Sequence, residues 1–177
     1  MLTALNLLKE QLKSARETFD STAADIKPED LHSDPGKKAL TIAATYAHLI
    51  FSEDEIIHRM LQKTVPLYKS SWIDKTGASE PMPEMDANWE ANHEKWSKTV
   101  QLDWPQMLEY TKAVYEETDK YINSLKDEDL EKEVDLGDWG KKTVAHLLYS
   151  FIIGHTNNLA GELSALKGVM GSKGYPF

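Results

Sequence analysis

The 177-residue sequence contains no cysteine. That excludes disulfides, thiolate metal ligands and a thiol nucleophile. Positive charge is also scarce. Twenty Lys and Arg stand against 29 Asp and Glu, for a net charge of −9, and the pI is near 5.1. Such a chain repels polyanions, so neither nucleic acid nor an anionic membrane is expected as a partner. The start, MLTALNLLKEQLKS, lacks a basic region followed by an unbroken apolar run, so no signal peptide is expected and the location is read as cytoplasmic. No internal repeat, phosphate-binding loop, Ser-His-Asp arrangement or paired-carboxylate spacing stands out. The length fits one domain, residues 1–177, with enough chain for a core of its own.

What the sequence does have is one long uncharged stretch, TVAHLLYSFIIGHTNNLAGE, at residues 143–162. It carries no acid and no Lys or Arg until Glu162. Its length and lack of proline favour a helix, and its uncharged faces predict burial on most sides. His146, His155, Asn157 and Asn158 lie within it. Buried polar groups cost free energy unless each finds a partner, so such a helix is where function is sought. His146 and His155 fall on opposite sides at 100° per residue. The face of His155 continues through Leu148, Phe151, Ile152, Leu159 and Glu162.

Three further helices are expected. Leu2, Leu5, Leu8, Leu12, Ala15 and Phe19 recur at steps of three and four and predict helix one, ending near Ala23. Pro28 and Asp34-Pro35-Gly36 mark a loop. Helix two is predicted from about Lys37 to about Lys63. One of its sides carries Thr41, Thr45, His48, Ser52 and Glu55, which reads as the lining of a half-buried pocket. Asp103 and Pro105 open helix three, which runs to Leu125. Between them, residues 67–103 form a long connection holding or adjoining four of the five Trp: Trp72, Trp89, Trp96 and Trp104. A disordered linker is poor in aromatics, so this crossover is expected to pack on the helices. Short outer connections and a long middle one give an all-α, up-down-down-up four-helix bundle. Within it, Tyr46, Tyr110, Tyr115, Tyr121 and Tyr149 are expected to reach the rim with their hydroxyls. His32, His58 and His93 are expected at the surface, and His146 as a satisfied core or interface residue.

Three segments resemble the DinB-like four-helix-bundle superfamily: HLIFSEDE from His48, DLGDWGKKTVAHLL, and HTNNLAGELSALKGVMGSKGYPF from His155. The last is similar to that family's His-x-x-x-His-x-Gly-[Gln/Glu] segment. The resemblance implies a divalent metal, Zn or Ni, held by one His on helix two and two His one turn apart on helix four. It implies a metal-dependent transferase, acting with thiols such as bacillithiol or mycothiol, or a hydrolase, and a homodimer. His48 and His155 match two of the metal ligands, and Gly161 and Glu162 match the Gly-[Gln/Glu] pair. The second helix-four ligand falls at Leu159, which cannot bind metal. Zn or Ni is therefore expected to be weakly held or absent, with Glu55, Glu53, Asn158 or Glu162 as possible helpers. The alternative is a metal-free bundle that binds a small molecule or serves dimerisation.

Overall fold

The computed structural model describes residues 2–36 and 39–177, and the chain is mostly helical. Helix α1, Ala4–Ala23, is capped by the Thr3 hydroxyl, which accepts from the Asn6 amide. It buries Leu5, Leu12, Ala15 and Phe19, while Leu2 stays outside, exposed. Its far end is fastened by Lys167, which is buried and donates to the Thr22 carbonyl at 2.7 Å while pairing with Asp25. A short turn, α2, Pro28–Leu31, follows.

The second long helix begins as α3, Ile42–Asp54, capped by Thr41. The expected start at Lys37 lies outside the described residues. From Glu55 to Gln62 the helix continues in the wider π form, and it ends at Lys63, whose φ of 58° is left-handed. The crossover then carries a single 3-10 turn, Leu67–Lys69, and α4, Trp89–Thr99. Gly77 fixes how it lies. A Cβ there would stand 2.5 Å from the Met107 amide nitrogen, and φ is +83°. The crossover backbone therefore rests directly on the start of α5, Trp104–Ser124. Tyr68, Met82 and Trp96 are buried, so the crossover is packed against the helices as expected. Asp103 caps α5 by accepting from the Gln106 amide, with a proline in the first turn.

After α5 a 3-10 turn, Asp127–Glu131, leads into β1, Glu133–Asp135, which pairs antiparallel with β2, Lys141–Thr143. The fourth long helix starts as α6, Val144–His146, passes through a second π segment, Leu147–Gly154, and finishes as α7, His155–Val169. Contacts join α1 to α7, and α3 to both α5 and α7. Among the described residues no helix is long and apolar enough to cross a membrane.

One expectation is reversed. The helix buried on most sides is the second, not the fourth. Every residue of Ile42–Asp54 except His48 is buried. On the fourth helix Tyr149, Asn157, Asn158 and Glu162 are exposed, which leaves one flank open. The acids at 53–55 of the second helix are each neutralised or hydrogen-bonded where they lie.

Candidate functional site

His48 is the half-buried position in that otherwise buried helix, and three imidazoles meet around it. The His155 ring, from the first residue of α7, lies 4.9 Å from the His48 ring at 84°. The His93 ring, from α4, lies 4.8 Å away on another side at 72°. Nε2 of His93 contacts Nδ1 of His48 at 3.2 Å. The same Nδ1 contacts the thioether of Met82 at 3.3 Å. Trp89 and Trp96 flank His93 at 4.7 and 5.4 Å between ring centres. The Trp96 indole N–H donates to the Glu80 carbonyl at 3.2 Å, which fixes α4 in place.

No carboxylate reaches these rings, and burial governs their ionisation. His48 is pushed down to about 3, first by burial and then by the neighbouring His155 and His93. Burial also lowers His155 and His93. All three are neutral near pH 7, with lone pairs available. His48 and His155 open on a pocket of about 340 Å³. Its aromatic wall is Trp89, Trp139 and Phe151, its apolar floor Ile56 and Met85, and its polar groups Ser52, Ser150 and Asn158. Among the described residues no Lys, Arg, Asp or Glu lines it.

The acids that follow His48 serve the fold. Glu53 accepts from Arg16 of α1 and from Thr118 of α5. Asp54 is fully buried; it accepts from the Leu67 and Tyr68 amides at 3.0 and 3.1 Å, from the Tyr110 hydroxyl at 2.7 Å, and pairs with His58 at 2.7 Å. Glu55 takes the Tyr68 hydroxyl and Arg59. Glu53 and Glu55 are therefore spent on joining helices and crossover, and neither helps the imidazoles.

These contacts correct several expectations. His58 is buried; burial disfavours its charge, but the hydrogen bond and charge of Asp54 outweigh that and raise its pKa. His32 accepts from the Leu102 amide at 2.9 Å. Tyr46 and Tyr110 are fully buried and do not reach a rim. His146 meets the Tyr149 hydroxyl at 2.9 Å on the exposed flank, so it is not a core residue. His93 was legible in one respect. Trp89, His93 and Trp96 recur at i, i+4, i+7, which is one face of a helix. Met82 gave no signal in the sequence.

A three-ligand Zn or Ni centre does not fit these residues. Leu159 is buried in the apolar core with Ala160 and Leu163, at the position of the missing imidazole. Glu162 is exposed, about two turns beyond His155. Among the described residues no three His, Asp or Glu side chains converge so as to hold an ion.

Comparison with known proteins agrees with the fold. The family model described as the DinB superfamily matches residues 11–159. The match runs through the crossover, which the resembling segments leave out, and stops before the glycine-rich tail. A solved structure, "Crystal structure of the conserved protein of locus from Enterococcus faecalis", superposes with a TM-score of 0.78 at 22% identity, covering 97% of this chain and 100% of that one. No curated protein matches the sequence. The family match spans well over half of the chain and agrees with the segments around His48 and the fourth helix, so the chain belongs to the DinB superfamily.

Proposed function

We propose that this DinB-superfamily protein binds a small uncharged molecule in the pocket between its second and fourth long helices. The observation that carries this is the lining. The pocket holds two neutral imidazoles, three aromatic rings and no ionised side chain. An anion or cation would enter without a counter-charge, which is costly in a partly buried site. A flat, neutral ring with one or two hydrogen-bonding groups would stack on Trp89, Trp139 or Phe151 and bond to His155, Ser150 or Asn158. The volume lies at the low end for ligand sites, so the ligand is small.

The test uses tag-free protein at pH 7.5 with matched probes: benzamide and indole against benzoate and phenyl phosphate. The neutral probes should quench tryptophan fluorescence and raise the Tm, and His155→Ala should remove both effects. Charged probes binding as tightly as neutral ones, or binding that ignores His155→Ala, would refute the reading.

A second reading, a metal-dependent transferase or hydrolase, has one observation in its favour. Two imidazoles on one ion bring their ring centres to about 5 Å, given metal–nitrogen bonds of about 2.0–2.1 Å, and His48 and His155 stand 4.9 Å apart. Leu159 argues against it. Metal analysis of tag-free protein decides: stoichiometric Zn or Ni that survives mild chelation would replace the first reading. We also infer the up-down-down-up four-helix bundle, supported by the packing of α1 on α7 and of α3 on α5 and α7. A cytoplasmic homodimer is proposed on the resemblance; a monomer's mass by light scattering at micromolar concentration would end the dimer.

A further inference from the structure

Two crossover groups that do not line the pocket, Met82 and His93, also touch His48, and the chemistry there differs. We propose that His48 Nδ1, His93 Nε2 and the Met82 thioether form a binding site for a soft monovalent cation, copper(I) being the natural one.

Two further uncharged donor atoms, an imidazole nitrogen and a soft thioether sulfur, approach one imidazole nitrogen. Nδ1 of His48 is 3.2 Å from Nε2 of His93 and 3.3 Å from the sulfur of Met82. Two nitrogens sharing an ion at about 2.0–2.1 Å in tetrahedral geometry stand about 3.3 Å apart, and a nitrogen and a sulfur at about 2.3 Å stand slightly further. The observed separations are close to these before any ion enters. As the chain stands, these atoms share too few protons. If His48 carries hydrogen on Nδ1, that one proton serves two acceptors. If His93 donates instead, the sulfur has no donor from either ring. The other group near it is the Ser52 hydroxyl, at a long 3.9 Å. A cation satisfies all three lone pairs together.

The donor set also selects the ion. A thioether and imidazoles suit copper(I), whereas magnesium and calcium take oxygen ligands. Among the described residues no carboxylate pairs with His48 or His93, so a divalent ion would leave two uncompensated charges in a site where Met82 is buried, and a monovalent ion only one. The site is distinct from the helix-two and helix-four pair. Two of its three donors, Met82 and His93, come from the crossover, and one of the three is sulfur. His48 opens on the pocket, which gives an ion its route in.

The test is an anaerobic titration of tag-free protein with copper(I) in competition with bicinchoninate, and with zinc(II) in a parallel competition. One equivalent of copper(I) should bind, with Met82→Leu and His93→Gln each lowering affinity more than tenfold and His155→Gln changing it less than threefold. Met82→Leu keeps the apolar volume. In the wild type, the methyl resonance of a 13C-labelled Met82 should shift on adding one equivalent of silver(I), a redox-inert probe, which does not depend on how any variant folds. An unshifted methyl resonance, copper(I) affinity indifferent to Met82→Leu, or zinc(II) bound more tightly than copper(I) would each overturn the proposal. The neutral-probe experiment depends on His155, which is not one of the three donors, so the two can fail separately.

Discussion

At Asp54 one carboxylate is held by two amides, a tyrosine hydroxyl and an imidazole. At His48, six residues earlier on the same helix, an imidazole meets two other imidazoles and a thioether, and none of them is charged. Both places bury polar groups in the middle of the molecule. At the first, the oxygens are consumed by partners from the crossover, from α5 and from the helix itself, and these bonds fix how the elements meet. At the second, neutral rings touch one another with lone pairs to spare, beside an open pocket. Burial with every valence filled builds architecture. Burial with valences left over is a place for something else to bind.

The largest effect should come from removing the filled centre. Asp54→Ala strands four partners and should cost about 3–5 kcal/mol, as loss of one member of a buried charged network does. That lowers the Tm by roughly 6–20 °C, measured by calorimetry. A loss below about 1 kcal/mol would break the contrast. Next is Leu159→His, which places an imidazole one turn from His155 inside the apolar core. It should cost about 2–3 kcal/mol without metal and raise zinc affinity more than tenfold, as read by competition with a chelator. Unchanged zinc affinity would mean that position 159 does not face the site.

Acid sharpens the comparison further, because the two centres titrate with opposite sign. His48 has a folded pKa lowered to about 3, below an unfolded value of about 6.5. Its contribution is present above about pH 6.5 and is lost as pH falls toward the folded value, at up to about 1.4 kcal/mol per pH unit. His48→Gln should flatten that slope in urea titrations run from pH 7 to 4. His58 has a raised folded pKa because of Asp54. Its contribution is complete below about pH 6.5 and is lost as pH rises through the folded value. His58→Gln should therefore weaken the protein more at pH 5.5 than at pH 8.5. The smallest effect belongs to His155→Gln, within about 1 kcal/mol of the wild type, since nothing in the filled centre depends on it.

The helices were legible because their apolar residues repeat with helical period, and the caps at Thr3 and Asp103 lie where a side-chain oxygen precedes that repeat. The pairing of His48 with His155 was visible only through the resemblance, since the two are more than a hundred residues apart and no spacing links them. The role of the second helix was hidden by its own acids. Glu53 and Glu55 read as spare ligands until the partners of the acids at 53–55 are known, and those partners, Arg16, Thr118, Tyr110 and Tyr68, come from three other parts of the chain. His93 stood on a face with Trp89 and Trp96, yet nothing local says that this face turns inward. Met82 lies outside any helix, where no periodicity exists to read.

The two π segments, Glu55–Gln62 and Leu147–Gly154, have a consequence for anyone editing this chain. A π turn holds one residue more than an α turn needs, because each amide bonds five residues back instead of four. Each segment thus behaves as an absorbed insertion. Deleting a single residue between 147 and 154 would let the fourth helix run as plain α-helix with the residues beyond it near their present phase. Forcing the segment into α form at its present length would instead turn everything downstream by about 100°, carrying the residue after the segment, His155, out of the pocket. The π turn is a phase correction, and idealising the helix would erase it.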